Sequence, residues 1–299
     1  MQDPRSILVI LDKPKHQQSA LAEARRIQAA VPGVQLRLVS FVWHAMVEQK
    51  DIYDAHQRRA MKREIVRSRK AWVRNLVRDE KLLEAPASIE VVWTAHIADW
   101  VETQSPRTDL VIKSVHKSRK VLHTPLDWEL IRTCPKPLLL VCRYEGKRRR
   151  KVRNSDVIAT VDLRHQDRRH QTLNLRVLDA AVRFAGIRGG RVHCVAVVEF
   201  SEVLSDLEII DPRKIRREQI EASAAFLDAL LKPYGIPKSR IHRPAGKVGH
   251  LVAATARKTG AGLVVVGSAA RRARGVRVLG GSAEKIVDRS PTDVLVVHP

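Results

Sequence analysis

The chain writes one strand-and-helix series twice, and that repetition limits what it can fold into. Ser6–Asp12 (SILVILD) and Asp156–Asp162 (DVIATVD) are short apolar runs that each close on an aspartate. Such runs read as strands buried on both faces of a parallel sheet. In the first copy a helix-period segment, His16–Ala30, stops at Pro32 and Gly33, and Val34–Trp43 is a second strand. Ala55–Leu83 reads as an amphipathic helix about 40 Å long at 1.5 Å per residue. Ala87–Thr94 is a third strand, Ile97–Gln104 a short helix, Asp109–Val115 a fourth strand, Pro125–Arg132 a helical turn or two, and Pro137–Cys142 a fifth strand.

The second copy restarts the series. A helix over Thr172–Ala185, stopped by Gly186, leads to a strand over Arg191–Val198. One helix from about Pro212 to Leu231, a short strand at Ser239–His242, and a helix over Val248–Lys258 closed by Gly260 follow. Gly262–Val266 then matches the fourth strand, and Pro291–Val297 the fifth. Alternating strands and helices mean an α/β fold with a mostly parallel sheet, and the matched order means an internal duplication. The expected architecture is two tandem Rossmann-like three-layer sandwiches, each with a five-stranded parallel sheet. They span 1–145 and 154–299, with the charge run Gly146–Arg153 (GKRRRKVR) at the junction.

Composition narrows the classes. The chain has 299 residues, enough for two domains, and a formal net charge of +23. No run of apolar residues is long enough to span a membrane, and the start reads as a first strand rather than a signal peptide. Cys134, Cys142 and Cys194 are too scattered for a disulfide framework or a zinc site, which suits a cytoplasmic protein. Basic clusters at Arg58–Arg59, Lys62–Arg63, Arg67–Lys70, Lys147–Arg153, Arg213–Arg217 and Arg271–Arg277 favour weak nonspecific attraction to nucleic acid or other polyanions. No aromatic residues interleave with them, so the simplest account is a solvated surface. All five tryptophans (Trp43, Trp72, Trp93, Trp100, Trp128) lie in the first half, where core or inter-domain packing is the plain reading.

The local chemistry is richest between Val266 and Ser290. Gly267 follows a strand directly, and Gly280–Gly281–Ser282 precedes the apolar-periodic Ala283–Val287. The end of a parallel strand next to the start of a helix is where open α/β sheets bind ligands, and free amides there accept anions. Ser282 is placed to cap that helix. This is not a Walker loop, because no Gly-Lys-Ser/Thr run is present. A glycine hinge beside a solvated basic loop is the plain alternative.

On these residues the chain resembles the universal stress protein family, in its tandem-domain E type, over essentially its whole length. ATP-binding members carry G-x2-G-x9-G-S/T at this place. Here Gly267, Ala270 and Gly280 keep that spacing, with alanine at the second glycine and Gly281–Ser282 closing the pattern one residue late. The likeness extends to Thr124–Trp128 and Arg132–Pro135 in the first half, and to Gly281–Glu284 in the second. The resemblance implies an adenine nucleotide alpha hydrolase-like fold and a cytoplasmic stress-response role, with resistance to DNA damage included. It also implies an internal pseudo-dimer, a homodimer, and ATP or another adenine nucleotide, with Mg2+, as ligand. The residues carried over to the cofactor site are Asp162, Gly267, Ala270, Gly280, Gly281 and Ser282, with Asp162 facing the adenosine portion. In the first half Lys113–Ser118 (KSVHKS) stands where the glycines belong, so that copy is expected to be degenerate.

A catalytic constellation does not emerge. The chain has no HExxH, GxSxG or paired-Cys motif, and at most slow hydrolysis of bound ATP is expected. His165 and His170 flank Arg168–Arg169 at a spacing that matches no metal motif, so no metal site is expected. Two other readings stand beside nucleotide binding. One is a basic structural protein associated with polyanions or nucleic acid. The other is a degenerate tandem protein that holds a lipid or other apolar ligand.

Overall fold

The computed structural model describes residues 3–79, 88–117, 125–144, 154–165, 167–199, 211–269 and 281–299. Ala270, Gly280, the arginines between them and the whole 146–153 junction therefore lie outside the described residues. Two compact units result, one of Pro4–Val115 with Pro125–Val141 and one built mainly on Cys142–Pro299.

In the first repeat, strands β1 (Ser6–Ile10), β2 (Gln35–Val42), β3 (Ser88–Trp93), β4 (Leu110–Lys117) and β5 (Leu138–Tyr144) lie in the order β3-β2-β1-β4-β5. β1 pairs in parallel with β2 on one side and β4 on the other. The connecting helices are α1 (Ser19–Ala30), α2 (Ala45–Glu48), α3 (Ala55–Asp79), α4 (Ile97–Gln104) and α5 (Pro125–Thr133). The second repeat has β6 (Asn154–Thr160), β7 (Val192–Val195), β8 (Ile241–His242), β9 (Ala261–Gly267) and β10 (Asp293–Val297), ordered β10-β9-β6-β7-β8. Its helices are α6 (Arg168–Arg188), α7 (Pro212–Ala222), α8 (Ala224–Leu231), α9 (Val248–Thr259) and α10 (Ser282–Arg289). Reversing the direction of reading makes the two orders identical, as the duplication predicts. All of β10 and all of β9 except Gly267 are buried, the signature of strands covered on both faces.

Strand order reverses at β1 and at β6, because each is flanked by the strand after it and by the fourth strand of its repeat. That places a crevice outside the carboxyl ends of β1 and β4, and another outside β6 and β9.

The structure moves several sequence-read boundaries. α1 starts at Ser19 rather than His16, because the Gln18 side chain binds backbone groups of Asp12, Lys13 and His16 instead of capping a helix. α6 runs through Gly186 and ends at Gly189, which takes the left-handed conformation (φ 66°) that closes a helix without a Cβ penalty. The extra turn carries Arg188, whose buried guanidinium reaches Asp293 at 3.2 Å and the Gly262 carbonyl at 2.9 Å. The single helix expected over Pro212–Leu231 is broken at Ser223 into α7 and α8. Arg243, far away in sequence, donates to the carbonyls of Ile220 (2.9 Å) and Gln219 (3.3 Å), and to the Ser223 hydroxyl. A guanidinium that satisfies the last carbonyls ends the helix there.

The tryptophans also depart from the core reading. Trp43 is exposed and the other four are half-buried. Trp93 donates to Glu48 at 2.6 Å, and Lys62 joins the same carboxylate from α3. Only Val73 of α3 is buried among its own residues; most of its arginines and lysines are exposed, while Arg69 is part-buried and donates to the Ser40 hydroxyl at 3.1 Å. The three cysteines are buried, and burial pushes the Cys194 thiol up to about 12. No helix among the described residues is long and apolar enough to cross a membrane.

Candidate functional site

The carboxyl end of β6 delivers Asp162. Its backbone is clasped by one amide side chain on α6: the Asp162 N–H donates to Asn174 Oδ1 at 2.9 Å, and Asn174 Nδ2 donates back to the Asp162 carbonyl at 2.7 Å. Asn174 is buried, so this double contact holds the strand end rigidly. The Asp162 carboxylate accepts from the Arg164 N–H at 2.9 Å and meets His165 Nδ1 at 2.7 Å. Burial pushes its pKa up, but the hydrogen bonds from His165 and the Arg164 amide outweigh that and hold it below the usual value.

Beside Asp162 opens a pocket of about 160 Å3 lined by Leu163, Arg164, the β7 exit Ala196–Val198, and Gln219, Ala222, Ser223 and Arg243. Arg164 bridges across it to Glu199 at 2.6 Å. Arg243 Nε is buried and has no hydrogen-bond partner among the described residues. Burial lowers the Arg243 pKa. Arg243 thus lines the pocket while its Nε is a buried donor still to be satisfied among the described residues. Sequence reading did not reach Arg243, Gln219 or Ser223, because what unites them is the break between α7 and α8, which has no local signal.

Gly267 ends β9 at the same sheet edge. Its φ is not in the left-handed region, and its need for glycine is close approach. A Cβ there would lie 2.5 Å from Leu173 Cγ on α6. Gly267 thus lets α6 pack onto β9, and Arg169 reinforces the contact by donating to the Ala269 carbonyl at 2.7 Å. The β9-to-β10 crossover helix, α10, starts from that edge. Its N-cap is Gly281 with no side-chain cap, and Ser282 is the first helical residue rather than the cap expected for it. Gly281 is extended, and a Cβ there would meet nothing among the described residues. Among the described residues no side chain caps the first amides of α10. The structure brings Asp162, Gly267, Gly281 and Ser282 to one edge; Ala270 and Gly280 fall outside the described residues.

The histidines that sequence spacing left unassigned also gather here. His165 and His170 stack with ring centroids 4.6 Å apart, and Asp167, the α6 N-cap, faces His170 Nδ1 at 2.5 Å.

The profile of the universal stress protein family matches residues 170–298. Universal stress protein E of Escherichia coli K12 is 25% identical over 307 aligned residues, covering 99% of this chain and 94% of that protein. Among solved structures, a Pseudomonas aeruginosa UCBPP-PA14 protein assigned to the universal stress proteins has a TM-score of 0.71 at 23% identity, covering 99% of this chain and 94% of its own. A universal stress protein from Archaeoglobus fulgidus has a TM-score of 0.65 at 13% identity, covering 100% and 99%. Both structural likenesses span the two repeats, which the family profile alone does not. Residues 170–298 thus match the universal stress protein family, and the chain as a whole is similar along its length to universal stress protein E and shares the fold of solved universal stress proteins.

Proposed function

We propose that this protein serves a stress response by binding a nucleotide, and that the second repeat holds it at the edge formed by β6, β7 and β9. The observation that carries this reading is the pocket beside Asp162 with Arg243 Nε, unpartnered among the described residues. At about 160 Å3 it falls below the roughly 300–1,000 Å3 usual for a whole ligand. It suits one ring, with the rest of the molecule lying along the sheet edge. An adenine ring brings acceptor nitrogens for Arg243. Asp162, fixed by Asn174, is placed to accept from a ribose hydroxyl, and phosphates would lie toward the first α10 amides at Gly281 and Ser282.

The test is a nucleotide-dependent unfolding measurement on the full chain. ATP present at about a hundredfold over its Kd should stabilise the second repeat by about 2.7 kcal/mol. Gly281→Val is conformationally free to fold, because the site is extended and no described residue would meet a Cβ there, and it should abolish the shift by blocking approach to the α10 amides. No shift at millimolar ATP, or an undiminished shift in Gly281→Val, overturns the assignment.

A further inference from the structure

We infer that Asp162, His165 and His170 form a binding site for a divalent transition cation of the zinc type. The three come from a short loop and the first turn of α6, and one donor atom from each lies within 4.8 Å of the other two. The spacing is Asp-x2-His twice over, Asp162–His165 and Asp167–His170, and the chain reversal between β6 and α6 stacks the two rings at 25° to one another. Donors around a tetrahedral zinc ion, each about 2.0–2.2 Å from the metal, sit about 3.3 Å apart. Modest side-chain rotation closes the observed spread to that size. The Asp162 Oδ2 to His165 Nδ1 contact of 2.7 Å is already near it, and the ion would take the place of the hydrogen between them.

The surroundings have the features of a metal centre as well. Asp167 holds His170 through Nδ1 at 2.5 Å and leaves the other ring nitrogen to the ion. A carboxylate on the far nitrogen is the usual outer partner of a metal-bound imidazole, and it fixes the ring and raises its basicity. Two guanidinium groups of this segment are engaged elsewhere, Arg164 Nη1 on Glu199 at 2.6 Å and Arg169 Nη2 on the Ala269 carbonyl at 2.7 Å, although Arg164 Nε stays 3.7 Å from Asp162. In so basic a protein a hard cation held by charge alone gains little. Two imidazole nitrogens with one carboxylate instead select zinc, nickel, copper or cobalt over magnesium and calcium. His165 is half exposed, so solvent or an added ligand can complete the coordination. The inference does not rest on nucleotide binding, since every ligand comes from the protein.

The experiment is a titration of the full, untagged chain with Zn2+ by calorimetry and with Co2+ by visible absorption, in the absence of nucleotide. One equivalent should bind, with Co2+ giving the intense visible bands of a low-coordinate site, and millimolar Mg2+ should not compete. His165→Ala and His170→Ala should each remove binding, and Asp167→Asn should weaken it about 10–100-fold. His250→Ala, on the exposed side of α9, should leave it unchanged. No binding by the unmodified chain overturns the inference, as does undiminished binding in the doubly substituted protein. Should the alanine variants fail to fold, Asp167→Asn decides: unchanged affinity overturns the site and weakened affinity with an intact fold supports it. A failed ATP shift with intact zinc binding would reject the nucleotide reading alone, and the reverse outcome would reject only the metal.

Discussion

The two repeats treat the same corner of the sheet in opposite ways. Parallel pairing sets Ile10 opposite Lys113 and Ala159 opposite Val265, so that, counted back from Asp12 and Asp162, Ser114 occupies the place of Gly267. In the first repeat the Ser114 hydroxyl, fully buried, accepts from the Ala20 N–H of α1 at 2.9 Å. Lys113 next to it donates to Asp127 of α5 at 2.7 Å, inside the protein. In the second repeat Gly267 offers no side chain, and Leu173 of α6 packs against it. Among the described residues, one corner is closed by a serine hydroxyl and a buried ion pair, and the other by a leucine seated on a glycine. Duplication therefore preserved the scaffold while the residues at this corner diverged.

What stayed constant is the grip on the strand-end aspartate. Asn174 clasps Asp162 from inside α6, whereas Gln18, just before α1, does the same for Asp12, receiving its N–H at 3.0 Å and reaching back to its carbonyl at 3.4 Å. Both amides are buried. The chemistry is shared though the residue and its helix position are not. The geometry of the strand end is thus conserved within the molecule apart from any ligand it holds.

The largest effect expected from this contrast lies in the first repeat. Replacing Asp127 by alanine leaves the Lys113 ammonium buried without its carboxylate, which costs about 3–5 kcal/mol. All five tryptophans sit in that repeat, so their fluorescence during urea unfolding reports it separately from the second. The double substitution Lys113→Met with Asp127→Leu should recover most of the loss, because it removes both charges together. A loss below about 1 kcal/mol in Asp127→Ala would show that the pair does not close this corner.

A smaller effect belongs to the glycine corner. Gly267→Ala forces a Cβ to within 2.5 Å of Leu173 Cγ, and overpacking of this kind costs about 1–3 kcal/mol. Combining it with Leu173→Ala should return part of that cost, since the two changes meet at one contact and are not additive. Hydrogen exchange on α6 and β9 is the measurement, with the first repeat as internal reference. If the two substitutions add independently, close packing is not the reason for glycine at 267.

Much of this was legible before any coordinates. Continuous apolar runs closing on Asp12 and Asp162 announced the central strands, and the repeat of Pro-bounded segments announced the duplication, because period and punctuation are local properties. The sheet edge carrying Asp162, Gly267, Gly281 and Ser282 was legible for the same reason. The rest depends on contacts between residues distant in sequence. Arg243 breaks a helix that reads as continuous over Pro212–Leu231, and no local pattern around Ser223 foretells it. His165 and His170 match no metal spacing because a loop reversal, rather than a helix or hairpin, brings them together. Gly186 reads as a stop, yet Arg188 is drawn into the core by Asp293, and the helix continues to Gly189.

The gentlest prediction uses acid against the second repeat. His193 links Asp156 to His242 across three strands: its Nε2 lies 3.3 Å from Asp156 Oδ2, and its Nδ1 lies 3.1 Å from His242 Nε2. Burial lowers the His242 pKa, and the adjacent His193 and then Lys258 lower it further. The unfolded chain binds a proton at His242 near the ordinary value of about 6.5, before the folded chain does. Between those two values the unfolded state carries more protons, so stability rises with pH across that window. The contribution is complete above about 6.5 and is lost as pH falls through the lowered folded value. Melting of the second repeat should therefore decline as pH drops below neutral, and His242→Asn, which cannot titrate, should flatten that slope while tryptophan fluorescence of the first repeat keeps its own profile. Identical slopes with and without His242 would mean that the histidine chain is a packing feature rather than an acid-sensitive one. The difference between the repeats would then rest on the β4 and β9 corners alone.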